Sequence, residues 1–379
     1  MRGLRGALCC IAATLLTPGI WAQVEYTHSS HDRASWIESP EDRAAAFSPA
    51  VESRVAAITT ESGAALIAEA TAIRSDDSFD YRAKDRLLFE VISRMGALPE
   101  AVGERETLES LTSWTSEFVY MEPACRTEIA QPVFPVAAAA RQLLNERARG
   151  VARVRAMELV EAGQFSALLD EAASFDAPRA EGNLDALMTA IQSDKLAEAL
   201  LDASPETLKA EPVSRLLLAA ATAQNSPTIF GKLVRHGDER VAISGIVTAP
   251  QVLDETSAVG LLIMAATDRS ELASTALLEL GRSAPNNERA RAFLVSLLGN
   301  ERYGGSVAQA FAESGDRKLL ESLGQNLQTE TDQMVQARLA LAMHLWGDPT
   351  GNAALAAFVE RTDVDAVLRG KVSQWVVRQ

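Results

Sequence analysis

Apolar residues recur at three- and four-residue steps from about Pro49 to the end of the chain, in stretches of only about three turns, with no sustained alternation of β-branched and polar residues. Leu184, Leu187, Met188 and Ile191 make one such stripe; Val259, Leu262, Ile263 and Ala266 a second; Leu272, Ala276, Leu277 and Leu280 a third. Between the stripes stand Ser204-Pro205-Glu206, Ser226-Pro227, Ala284-Pro285-Asn286 and Gly347-Asp348-Pro349. A Ser or Asp before Pro reads as a cap followed by the first helical position. The spacing predicts an all-α chain of about 16 to 18 helices, joined by loops of about two to six residues as antiparallel hairpins.

Such hairpins have too little interior of their own. With alanine-rich faces that let helices approach closely, the expected fold is an α-solenoid, one hairpin stacked on the next, with a closed bundle as the alternative. At the C-terminus, Val335 to Leu341 aligns with Ala366 to Val372 and places Arg338 on Arg369, a period of 31 residues. Between them lie a Leu345-to-Pro349 turn, a helix around Leu355 and Phe358, and an acidic turn at Asp363 and Asp365. This unit resembles HEAT-like repeats, closest to the short bacterial variety. The resemblance implies a HEAT-like superhelix acting as a protein-binding scaffold, in which the turn Asp and helix Arg fasten neighbouring repeats. It covers about the last 50 residues well and the middle loosely, where Glu239-Arg240-Val241-Ala242 and Glu288-Arg289-Ala290-Arg291 open similar helices at drifting spacing. Tetratricopeptide repeats share the helix lengths, but that family's Trp, Gly, Tyr and Pro pattern is missing.

The start of the chain carries Arg2 and Arg5, an apolar run from Ala7 to Leu16, a Pro18-Gly19 break and a small residue at Ala22. That is the layout of a signal peptide over residues 1–22, cleaved after Ala22, and it predicts a periplasmic or secreted protein. Ten apolar residues fall short of the roughly 20 that span a bilayer, so no membrane insertion is expected once the segment is removed. A polar arm over 23–39, a helical region over 40–120, a Pro-containing connection over 121–135 and a repeat array over 136–379 complete the predicted organisation.

Charge excludes one partner class. The chain holds 36 basic and 51 acidic residues, a net −15 that becomes −17 when Arg2 and Arg5 leave with the signal. Nucleic acid is bound by neutralising phosphates with Lys and Arg, and this field opposes that. The expected partner is a protein or peptide, and a basic one, because opposite charge speeds encounter.

Catalytic motifs are missing: there is no His-Glu-x-x-His, Gly-x-Ser-x-Gly, Gly-x-Gly-x-x-Gly or Gly-x-x-x-x-Gly-Lys-[Ser/Thr]. His28, His31 and Asp32 could share a metal only with a fourth ligand, and a solvated tail is the plainer reading. His236, where a helix ends, is read as a partly cationic cap on the dipole, and His344 as a packing or groove residue. Asp76, Asp77 and Asp80 lack the ligand order of a calcium loop, with Tyr81 where the Gly belongs, and fit a helix cap better. Cys125, the one cysteine beyond the signal, is read as buried rather than as a nucleophile or an intermolecular disulfide partner.

The reading is therefore a non-catalytic scaffold with no cofactor and no metal. Binding is sought at the final repeats, on Arg338, His344, Trp346 and Arg369, although Arg338 and Arg369 serve equally as inter-repeat fasteners and Trp346 and Trp375 as core. The alternative is an exported all-α enzyme using spatially assembled Asp and Glu carboxylates, which Trp36, Trp114, Trp346, Trp375 and four Tyr equip poorly for sugar stacking.

Overall fold

The computed structural model describes residues 37, 39–58, 61–124, 127–173 and 177–377. The signal-like segment, His28, His31, Asp32, Trp36 and Cys125 lie outside them. The chain divides into two compact units, Met1–Gly150 and Val151–Gln379. The division falls inside a 26-residue helix rather than at the Pro-containing stretch.

The described part of unit 1 holds α1 (Pro40–Ala46), α2 (Pro49–Ala57), α3 (Gly63–Ser75), α4 (Tyr81–Gly96) and α5 (Glu104–Leu111), then the strands β1 (Val119–Ala124) and β2 (Thr127–Pro132) and the start of α6 (Val136–Glu161). Helix α4 is the centre: α1, α2 and α3 all touch it, and it buries Leu87, Leu88, Val91, Ile92 and Met95. Phe134 is fully buried, with the rings of Phe47, Phe89 and Phe118 centred 6.0 to 6.4 Å away. The strands correct the strandless expectation: residues 119–132 form an antiparallel ribbon in which Pro123 faces Glu128 and Pro132 faces Val119. A two-stranded ribbon is all edge, and an edge tolerates the missing N–H of proline that a central strand would not.

Unit 2 continues with α7 (Phe165–Ala172), α8 (Ala177–Thr189), α9 (Asp194–Asp202), α10 (Pro205–Lys209), α11 (Glu211–Ala223), α12 (Pro227–His236), α13 (Glu239–Val252) and α14 (Glu255–Asp268). It ends with α15 (Ala273–Ser283), α16 (Glu288–Ser296), α17 (Gly304–Glu313), α18 (Arg317–Thr329), α19 (Gln333–Trp346), α20 (Pro349–Val359) and α21 (Ala366–Val377). All-α is thus the fold class, the ribbon aside. The 21 described helices outnumber the expectation because several are short, down to the five residues of α10.

The breakers act as predicted. Ser39, Asp80, Ser204, Ser226 and Asp348 each accept a hydrogen bond from a backbone N–H in the first turn of the helix they precede. Among the helices from α11 to α21, the substantial contacts are between helices one and two places apart. Helices α11, α13, α15, α17, α19 and α21 make one row; α12, α14 and α16, then α18 and α20, make a second. Members of the first row begin 28 (211 to 239) to 34 (239 to 273) residues apart. The rows explain the drifting arginine spacing, since Arg240 and Arg338 lie in the first row and Arg291 in the second. The second and third stripes face the core; in the first, Met188 is 46% exposed, and Asn183 and Ala186 are buried with Leu187 instead.

Candidate functional site

The four residues singled out at the C-terminus have separate neighbours. Arg338 on α19 lies against α17: its Nε would stand 3.1 Å from a methyl placed on Gly304 and its Nη1 3.5 Å from one on Gly305. That Nε is buried and has no hydrogen-bond partner. Arg369 donates from Nη1 to the Arg361 carbonyl at 3.1 Å, reaching back to the turn that precedes its helix. His344 stacks on Trp375, ring centroids 4.7 Å apart and planes 12° off parallel. Trp346 is half-buried against the core beside Gly351, where a methyl would meet its ring at 3.1 Å.

Two other arginines tie successive helices together. Arg361, in the turn after α20, donates from Nη1 to Leu327 O at 2.8 Å and from Nη2 to Glu330 O at 3.0 Å, closing the end of α18. Arg269, after α14, donates to Val234 O at 3.2 Å and Gly237 O at 2.9 Å at the end of α12. Both also bind an acid two residues on, Asp363 and Glu271. A cation at a helix C-terminus satisfies carbonyls that the helix leaves open and opposes the negative end of its dipole. The sequence reads Arg-Ser-Glu at position 269 and Arg-Thr-Asp at position 361.

Two hollows open between neighbouring helices of a row. One, of about 730 Å³ between α19 and α21, is lined by Asp332, Met334, Ala337, Asp365, Val367 and Lys371. Its carboxylates already cap helices, Asp332 taking N–H groups from Met334 and Val335, Asp365 from Val367 and Leu368. The other, of about 310 Å³, lies between α12 and α14 and includes Lys232, Arg235 and His236 beside Leu261 and Met264. Burial and the charges of Lys232, Arg235 and Arg269 hold the His236 imidazole below its ordinary range, which works against the partly cationic cap that its position predicts. The signal for this hollow was present in the sequence: Lys232, Arg235 and His236 stand at helical spacings of three and four, on one face of α12.

Among the described residues, unit 1 buries three charged side chains, Asp85, Arg86 and Glu104. Asp85 is 1% exposed; Oδ1 accepts from Trp114 Nε1 at 2.7 Å and Oδ2 from the Phe118 N–H at 3.3 Å. Burial pushes its carboxyl up to about 6, against the lowering effect of those two bonds. Arg86, fully buried, donates to Ala46 O and Glu52 Oε1 with its guanidinium 3.9 Å from the centre of the Phe47 ring. Glu104 takes the Arg147 Nε–H at 2.9 Å and the Ala101 N–H at 3.0 Å.

Asp80 caps α4, Asp76 takes the Ser78 N–H, and among the described residues no group of three His, Cys, Asp or Glu is placed to hold a metal. No described helix is long and apolar enough to cross a membrane. Comparison with known proteins finds no family model, no curated protein and no solved structure that matches the chain.

Proposed function

We propose that the chain is an exported, non-catalytic scaffold whose helix pairs stack as a HEAT-like superhelix and bind a protein or peptide along one face. The observation that carries this reading is the contact pattern over residues 211–377, where the substantial contacts of each helix stop at the helix two places along. A closed bundle brings its first and last helices together; a repeat array keeps contacts local and leaves long rows of side chains open. The Arg269 and Arg361 staples, each joining one helix pair to the pair before it, support the same reading.

Binding would then follow from surface complementarity, with the net charge of −15 drawing a basic partner and salt weakening the encounter. The carboxylate-enzyme alternative gains nothing from Asp85, which faces Trp114 and Phe118 inside unit 1 and lines neither hollow. Affinity capture from a periplasmic fraction at low and high salt, followed by titration of each retained protein in purified form, tests the proposal. A partner that binds saturably and is released as salt rises is the expected result. Retention of no protein that also binds when pure refutes it.

A further inference from the structure

The hollow between α12 and α14 inverts the charge of the chain around it. Gly231 on α12 and Gly260 on α14 line it, and their missing side chains make the room: a methyl on Gly231 would stand 3.6 Å from Met264 Cε. At about 310 Å³ it sits at the lower end of ligand-pocket sizes, roughly 300–1,000 Å³. Lys232 and Arg235 supply its charge, and Leu201, Leu261 and Met264 its apolar surface.

Little inside the protein neutralises those cations. Lys232 Nζ donates to Leu201 O at 2.7 Å, which uses one of the three donors of an ammonium. Arg235 meets Asp268 through Nε at 3.3 Å, an exposed pair that screening weakens. Arg269 is committed to Glu271 and to the end of α12. On the far side, Arg289 Nη1 comes within 3.9 Å of a methyl on Gly260. His236 registers the surplus, its imidazole depressed by burial and then by three positive neighbours.

We propose that this hollow receives an acidic side chain, with an apolar residue beside it, from a peptide segment of a partner. The proposal rests on the scaffold reading above and names the chemistry of one contact within it. A carboxylate at the rim would take donors from Lys232 and Arg235, and the adjoining apolar side chain would cover Leu261 and Met264. A free inorganic anion gains nothing from that apolar surface, and a Lys or Arg is repelled there. The overall negative field can still steer a basic partner, while this contact fixes its register, because a like charge in the wrong place is penalised.

The probe is an amide-capped hexapeptide alternating Glu and Leu, titrated into the full chain and followed by NMR at the His236 ring, with His344 as the internal control. The same peptide with Gln for Glu, and inorganic phosphate, are run beside it. The expected result is a saturable shift at His236 with the Glu peptide and an upward move of its titration midpoint, because a bound carboxylate favours the imidazolium. Arg235→Gln, at a guanidinium more than half exposed and so harmless to the fold, should weaken the peptide about tenfold. Lys232→Met should weaken it as well.

No saturable shift at His236, an equal response to the Gln peptide, or unchanged affinity in Arg235→Gln overturns the proposal. Phosphate binding as tightly as the peptide overturns it too, in favour of a plain anion site. A captured partner that binds the Arg235→Gln chain as it binds the native one removes this contact and leaves the scaffold standing. Glu peptide bound at His236 with no protein partner recovered does the reverse.

Discussion

Asp85→Asn should change how stability depends on pH, by an amount that follows from the burial of one carboxyl. With 1% exposure and an ordinary value of 3.8 raised to about 6, Asp85 binds its proton more tightly in the folded chain than in the unfolded one. Between those values the folded state therefore holds more protons, and stability falls as pH rises. The contribution is complete below pH 3.8 and is lost as pH passes through about 6. At about 1.4 kcal/mol per pH unit the loss is about 3 kcal/mol. Asparagine keeps an oxygen for Trp114 and turns an amide towards the Phe118 N–H, a cost that does not vary with pH and so drops out of a comparison across pH. Urea unfolding of unit 1, read from the Trp114 indole resonance between pH 4 and 7, should show the native chain losing about 2.5 kcal/mol of this relative to Asp85→Asn. The Asp85 ¹³Cγ resonance should titrate near 6. A difference between the two chains that stays flat over this range, or a carboxyl midpoint at 4 or below, refutes the reasoning.

Three further outcomes are expected. Arg361→Gln removes two charge-assisted bonds to the end of α18 and should cost about 2 kcal/mol in thermal or urea unfolding of unit 2; a loss below about 0.5 kcal/mol would deny the staple. Gly281→Ala should destabilise by about 1–3 kcal/mol, since the added methyl would lie 2.9 Å from Ala310 Cβ and closer still to the Ala310 backbone, despite the gain of about 1 kcal/mol that Ala brings to a helix. A more stable Gly281→Ala chain would mean that α15 and α17 do not meet there. Amides of α16 should exchange at least about tenfold faster than those of α14 or α18; equal protection would contradict the seam argued below.

Cap chemistry is local, and it was legible. Ser226 before Pro227 and Asp348 before Pro349 stop one helix and start another through bonds that reach only two or three residues. Row membership was not legible, because it depends on which helices meet in space; aligning Arg240 with Arg291 crossed from one row to the other. Met188 fits the helical period as well as Asn183 does, and only the neighbouring helices decide that Asn183 goes inward. The ribbon at 119–132 was hidden by its own prolines, which read as interruptions until pairing supplied an edge for them. Among the site residues, His236 was located correctly at a helix end, but burial and the cations around it, Arg269 among them from 33 positions away in sequence, lower its imidazole and work against the charge expected there.

The staples also show where the second row is weakest. In the second row, Arg269 closes the end of α12 and Arg361 the end of α18, so that each turn completes the carbonyls of the helix before it in the row. Among the described residues no arginine from a following turn reaches the last carbonyls of α14 or α16. Helix α16 buries only Ala290 and Leu294, leaves Val295 46% exposed, and makes no substantial contact with α18. Continuity there passes through the first row instead, where α15, α17 and α19 are held close by Gly281 against Ala310 and by Gly304 against Arg338. A row that lacks both a staple and a broad apolar face has little to resist local opening. The second row should therefore part at α16 while the first holds, dividing unit 2 into a segment that carries the cationic hollow and a segment that carries the cleft between α19 and α21.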